Sequence, residues 1–307
     1  MESRKLFVVA QRTFIVIAVL VGSLNLGLMA IGKTNASQTS DKETENSKAM
    51  IAETGVSQRM MAFKQILIAS WKQEAKSKGL LPITPPQFRG ATLKEAKLAK
   101  SDKKVIALTF DDGPVPNYTE KILDILKKNN VKATFFIVGA NLKLYPAIGK
   151  RIVGEGHTIA NHTWHHWYHP MNPQVAASEI DNTSNLIFKT TGVKTNLFRP
   201  PGGIMNNGVA VYARNKKYVT LMWSVDSIDF KQPPAEVLAN RVVRGATHGG
   251  IALMHDGGGK RPRTVEALPK IISRLRAKGY SFVTIPELLE MQDKQEKEEK
   301  LATQKKQ

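Results

Sequence analysis

Cysteine is absent from the 307 residues, which excludes disulfides and thiolate ligands. Any metal must then be held by nitrogen and oxygen. Acidic residues are few beside basic ones, 26 Asp and Glu against 45 Lys and Arg, a net charge of +19. Such an excess draws polyanions: nucleic acid, anionic headgroups or acidic wall polymers. The Lys and Arg are scattered, however, and no DNA- or RNA-binding motif accompanies them, so nucleic acid is not expected as a partner. No internal repeat is present, and nothing points to a protein partner. What is there in quantity is apolar residue, 42% of a chain long enough to bury one large core.

The amino end is basic, MESRKLFVVAQR, and Thr13 to Gly32 then runs without a charge. About 20 apolar residues span a bilayer, whereas the core of a signal peptide takes about 7–15. Small residues at Thr34-Asn35-Ala36-Ser37 also suit cleavage. A signal peptide and an uncleaved membrane anchor both fit residues 1–36, and the length favours the anchor. Basic residues before the segment keep the amino end inside, so the remainder faces out of the cytoplasm.

Residues 37–103 read as a polar tether (NASQTSDKETEN), an amphipathic helix at 60–75 and a Pro-rich joint (LPITPPQFRG). From 104 to 290 short apolar runs alternate with helical patterns. The runs are VIALTF, ATFFIV, HTIA, LFRP, VTLMWS, IALMH and YSFVTI. This alternation predicts an α/β architecture with about seven parallel strands, better suited to a barrel, incomplete or distorted, than to an open sheet. Residues 291–307 form a charged tail to which no role is assigned.

Four of the seven histidines fall within ANHTWHHWYHP. His162 and His166, four apart, suit two nitrogens on one metal. A catalytic zinc usually takes three protein ligands, which leaves the third to be found. The ends of five predicted strands carry further chemistry: Asp111 and Asp112, the histidines, Arg199, Asp226 with Asp229, and His255 with Asp256. In an α/β barrel those ends line the working face. Alone, Asp112 also suits a turn before Gly113-Pro114, and Arg199 a surface ion pair.

TFDDGP (109–114), HTWHH (162–166), RPPGG (199–203), DSIDF (226–230) and LMH (253–255) stand in this order. The pattern resembles the polysaccharide deacetylases of carbohydrate esterase family 4, the NodB-homology domain, over about residues 104–290. The resemblance implies a distorted (β/α) barrel that removes N-acetyl groups from an amino-sugar polymer, most plausibly peptidoglycan. It supplies Asp112 as the third ligand beside His162 and His166, for zinc and also for cobalt or nickel. It makes Asp111 the general base, oriented by Arg199, and His255 the general acid, oriented by Asp229. The Gly202 N–H would receive the oxyanion, where many relatives carry a larger residue, so the side-chain wall there is lost. Leu253 would wall the acetyl methyl and Trp223 contact the sugar, with Trp164, Trp167 and Tyr168 also available for stacking. Phe230 stands where the family often has Trp. His165 and His169 are expected near the site but not as ligands. The alternatives are an O-acetyl esterase or other metallohydrolase on the same fold, and a catalytically silent glycan-binding protein.

Overall fold

A computed structural model describes residues 84–101 and 103–304, with helical positions upstream at Gln58, Met60, Met61 and Phe63. Those four positions belong to a unit spanning Met1–Ile68, and the remainder to one spanning Ala69–Gln307. The expected membrane segment and tether, and most of the expected helix at 60–75, lie outside the described residues. Among the described residues no helix is long and apolar enough to cross a membrane.

Among its described residues the second unit holds nine strands: β1 (Thr92–Leu93), β2 (Lys104–Asp111), β3 (Thr134–Ile137), β4 (Thr158–Asn161), β5 (Leu197–Phe198), β6 (Val219–Leu221), β7 (Val225–Asp226), β8 (Gly250–His255) and β9 (Tyr280–Val283). They are joined by α1 (Tyr118–Lys128), α2 (Gly139–Leu144), α3 (Pro146–Gly154), α4 (Pro173–Thr191), α5 (Val209–Asn215), α6 (Ala235–Gly245) and α7 (Pro262–Ala277), with α8 (Ile285–Gln304) last. The strand order is β1-β6-β5-β4-β3-β2-β8-β7, with β9 beside β2, and every strand pair is parallel. Strand β2 pairs with β8 on one edge, and on the other with β9 over its first half and β3 over its second. Among the described residues β1 and β7 end the path and do not pair with each other, and the sheet is a curled half-barrel.

All seven expected runs are strands. The two additional strands, β1 and β7, are two residues each, too short to display a period of two. β1 also lies upstream of Lys104, where the regular pattern was expected to start, and α8 continues as helix to Gln304.

Alternation along β2 sets up the rest. Ile106, Leu108 and Phe110 face one layer of the core with Ile122, Leu126, Leu238 and Ile271 from the helices. Val105 and Ala107 face the other, with Phe136, Ala160, Leu221, Ile251 and Leu288. Continuing the period of two, Thr109 and Asp111 turn toward that second layer at the carboxyl end of the sheet. Because all the strands are parallel, every strand end carrying a candidate residue opens at this same edge.

Candidate active site

A cavity of about 640 Å³ lies at that edge, bounded by residues that include Asp111, Asp112, His162, His166, Gly202, Trp223, Leu253 and His255. Its size falls within the range usual for small-ligand sites. Asp111 ends β2, His162 follows β4, Arg199 follows β5, Asp226 ends β7 and His255 ends β8. Four non-glycine residues here have positive φ: Asp112 (77°), Thr163 (67°), His166 (61°) and Ile228 (54°). Strain of this kind gathers where side chains must be aimed. Local hydrogen bonds hold it: the Thr163 N–H donates to Asn161 Oδ1 (2.8 Å), the Ile228 N–H to Asp226 Oδ1 (2.8 Å) and the His166 N–H to Thr163 Oγ1 (3.1 Å).

Asp112, His162 and His166 each offer one ligand atom, and these atoms lie within 4.8 Å of one another. Asp112 Oδ1 is 3.0 Å from His166 Nε2 and 3.4 Å from His162 Nε2. The Nδ1–H of His162 donates to the Arg199 carbonyl at 2.7 Å, which fixes the tautomer whose Nε2 lone pair points at Asp112. Burial pushes the Asp112 pKa up, but the facing imidazoles outweigh it and hold the carboxyl well below the usual range. Its Oδ1 is buried and accepts no hydrogen bond. A buried carboxylate oxygen without a donor, facing two imidazole nitrogens, fits a divalent cation with oxygen and nitrogen ligands. Close packing around Asp112 rules out larger neighbours, since a Cβ at Gly258 would lie 2.2 Å from its Oδ2 and one at Gly257 2.3 Å from its carbonyl oxygen.

Asp111 is 3% exposed and Arg199 0%. The guanidinium donates from Nη1 to Asp111 Oδ1 (2.7 Å) and Thr109 Oγ1 (2.9 Å), from Nε to the Leu221 carbonyl (3.0 Å) and from Nη2 to the Met222 carbonyl (3.1 Å). It also lies 4.0 Å from the centre of the Phe136 ring. Arg199 is thus not a surface ion pair. Arg199→Ala leaves a buried carboxylate without its partner and costs about 3–5 kcal/mol of stability. The denaturant midpoint reads this loss, with Arg199→Lys intermediate because it restores charge without the fork. A midpoint unchanged in Arg199→Ala would show that the pair does not hold the strand ends together.

On the opposite side, His255 Nδ1 is 2.6 Å from Asp229 Oδ1, and its backbone N–H donates to Oδ2 at 2.8 Å. Thr264 Oγ1 donates to the same oxygen at 2.7 Å. Burial alone would lower the His255 pKa, but hydrogen bonding and charge from Asp229, with the charges of Asp111 and Asp112, raise it to about 9. Asp229 is fully buried; burial raises its pKa, but His255 and Thr264 bring it below the usual value. Leu253 and Trp223 both line the cavity, Leu253 buried and Trp223 half-buried. Asp226 also lines it while capping its own turn.

The structure separates the remaining aromatic and histidine residues. Trp164 packs beneath Gly139, where a Cβ would lie 2.6 Å from its ring, so it serves the α2 contact rather than the cavity. His165 is stacked on Trp167 with centroids 4.1 Å apart, and His169 meets the Pro170 carbonyl and the Trp167 ring, the latter with centroids 5.1 Å apart. His157 and His248, which carry no expected role, each accept a backbone N–H, from Ala133 and Val105.

Two acids carry roles that the sequence reading did not assign. Glu179 of α4 is 2% exposed; its Oε2 accepts the N–H groups of Trp164 (3.0 Å) and His165 (2.8 Å), and its Oε1 faces His165 Nδ1 (2.5 Å). It clamps the loop that carries His162 and His166. A signal existed, because Glu179 sits on the same helical stripe as Ala176, Ile180, Thr183 and Ile187. Asp256 accepts from the Gly113 N–H (3.1 Å) and Thr119 Oγ1 (2.6 Å), fixing the turn after Asp112. Burial, with the charges of Asp112 and Asp111, raises its pKa to about 7.

Comparison with known proteins agrees with this architecture. The family model for polysaccharide deacetylase matches residues 99–221. A peptidoglycan-N-acetylglucosamine deacetylase of Bacillus cereus is 43% identical over 192 residues, covering 62% of this chain and 90% of that protein. The crystal structure of the Bc1960 peptidoglycan N-acetylglucosamine deacetylase, in complex with an N-hydroxybenzamide, superposes with a TM-score of 0.61 at 36% identity, covering 66% of this chain and 94% of that one. BA3943 of Bacillus anthracis, described as a CE4 family pseudoenzyme, superposes at 0.59 with 33% identity, covering 66% and 70%. With a relative of this identity matched over nine-tenths of its length, the chain belongs to the polysaccharide deacetylase family.

Proposed function

We propose that the protein is a metal-dependent deacetylase of peptidoglycan, hydrolysing the acetamide of its amino sugars to amine and acetate. The reading rests above all on one observation: an orphaned, buried Asp112 oxygen facing two imidazole nitrogens, beside a second carboxylate held by a buried arginine. The names of the two deacetylases compared above support peptidoglycan as the substrate and N-acetylglucosamine as the sugar, while other relatives are named for N-acetylmuramic acid. The pseudoenzyme among the neighbours makes the silent alternative concrete. Against it, this chain retains Asp111, Asp112, His162, His166 and His255 together in one cavity.

Asp112, His162 and His166 would hold zinc. A cation there would supply Lewis acidity toward the acetyl carbonyl and the attacking water. Asp111, aimed by Arg199, takes a proton from the attacking water as the water oxygen bonds to the acetyl carbon. The Gly202 N–H donates to the oxygen on which charge develops. His255, kept protonated by Asp229, gives its proton to the nitrogen as the carbon–nitrogen bond breaks. Asp111 then returns its proton to solvent, and His255 takes one up. Leu253 and Trp223 line the space for the acetyl group and the sugar. An ester carbonyl could be attacked by the same groups, but no feature of this cavity favours one.

The pKa of His255 gives the alkaline limit. Below about 9 the imidazole carries the proton it must give, and kcat falls as pH rises through that value. A cation neutralising Asp112 moves the limb lower. Asp229→Asn removes the charge that raises this pKa, so its kcat profile falls off at lower pH than the native one. A limb that stays in place in Asp229→Asn would remove His255 from the role of acid.

Residues 1–36 would act as leader or anchor and the chain from 37 as spacer, holding outside the cytoplasm a deacetylase domain that takes in Phe88, Ala96 and β1 as well as 104–290, while 291–304 continue α8. The net charge of +19 suits work against an anionic envelope. The test is acetate release from peptidoglycan with and without chelator. Release abolished by chelation and restored by zinc is expected; absence of release from the zinc-loaded protein would sink the reading.

A further inference from the structure

Gly202 lacks the side chain that could wall the cavity beside its N–H, but that space is not open. A Cβ on Gly202 would lie 2.9 Å from Tyr168 Cε1, closer than carbon atoms pack. Gly203 is hemmed in the same way, since its Cβ would lie 2.9 Å from Trp223 Cη2. Both glycines have positive φ, 59° and 71°. The paired glycines therefore let two aromatic rings close on the backbone, Tyr168 on Gly202 and Trp223 on Gly203. Trp223 is half-buried, whereas Tyr168 is 55% exposed while lining the cavity. It meets His166 edge to face, with centroids 5.1 Å apart. Phe230, 50% exposed, stands in the same relation to His255 at 6.2 Å. Exposed rings thus flank the cavity, one on the Asp112 side and one on the acid side.

We propose that Tyr168 is a substrate-binding residue, its ring replacing the missing side chain of residue 202 as the wall that holds the acetamido sugar against the Gly202 N–H. A pyranose offers C–H groups to such a ring, and a tyrosine at a wet cavity mouth presents apolar area without needing burial. The inference rests on the deacetylase reading above; a side chain at 202 would have to displace the ring, and the positive φ there favours glycine as well.

The test is Michaelis kinetics of the full chain, zinc-loaded, on a soluble N-acetylglucosamine oligomer. Tyr168→Ala is expected to raise KM about tenfold, the equivalent of about 1.4 kcal/mol, with little change in kcat or zinc content. Tyr168→Phe, which keeps the ring, recovers most of that loss. Gly202→Ala lowers kcat/KM in the native background and lowers it less when combined with Tyr168→Ala, because the collision has gone while the positive-φ strain is common to both. An unchanged KM in Tyr168→Ala overturns the proposal. So does loss of zinc with KM unchanged, which would make the ring a support for His166, and so does strict additivity with Gly202→Ala. If the native protein releases no acetate at all, it is the deacetylase reading that has failed, so the two failures are told apart.

Discussion

Asp111→Asn lowers acetate release by about 10²–10⁴-fold, the usual worth of a positioned general base, and leaves zinc bound. The substitution keeps size and an oxygen that can still accept from Arg199 Nη1, so the strand end is preserved. What it removes is the capacity to take a proton. Arg199 retains Thr109, Leu221 and Met222 as acceptors, so the fold survives the loss of charge. Acetate release, zinc content and melting temperature measured on one preparation separate the outcomes. Native activity in a zinc-replete Asp111→Asn protein would take the base from Asp111. Loss of zinc instead would enlist Asp111 as a ligand, a reading its Oδ2 keeps in play by lying 3.7 Å from His162 Nε2.

His162→Ala has the second large effect: zinc affinity falls by more than about 100-fold, since losing even a supporting partner of a ligand costs about 10–100-fold. His162 is 2% exposed, and its Nδ1–H bond to the Arg199 carbonyl leaves the ring only one useful direction. Removing it also removes the tie between the metal loop and the arginine that orients Asp111. His169→Ala is the control, because that ring is exposed and touches the Pro170 carbonyl alone among polar partners. Equal zinc content in the His162→Ala and native proteins would strike His162 from the ligand set.

The features of the site that were legible in the sequence are those written at strand ends. Asp111, Asp112, His162, Arg199 and His255 each follow an apolar run, and parallel strands carry such positions to one edge. The seven strands read from apolar runs were visible for the same reason, even two-residue β5, which lies within LFRP. Strands β1 and β7 were not, because their two residues stand in no apolar run of their own. Glu179 carries no motif, and only its place on the apolar stripe of α4 marks it out. Least legible was Tyr168. Its importance lies in where it sits relative to Gly202, 34 residues on, and no local pattern encodes a contact between a ring and a backbone in another loop. Gly202 itself read as a lost wall, when the wall had moved.

The account depends on one cation held by Asp112, His162 and His166. Its most direct test is a zinc titration of metal-stripped full-length protein, followed by acetate release from peptidoglycan. The expected result is no release from the stripped protein and a rise to a plateau at one zinc per chain. Release at the native rate from protein without metal would contradict it.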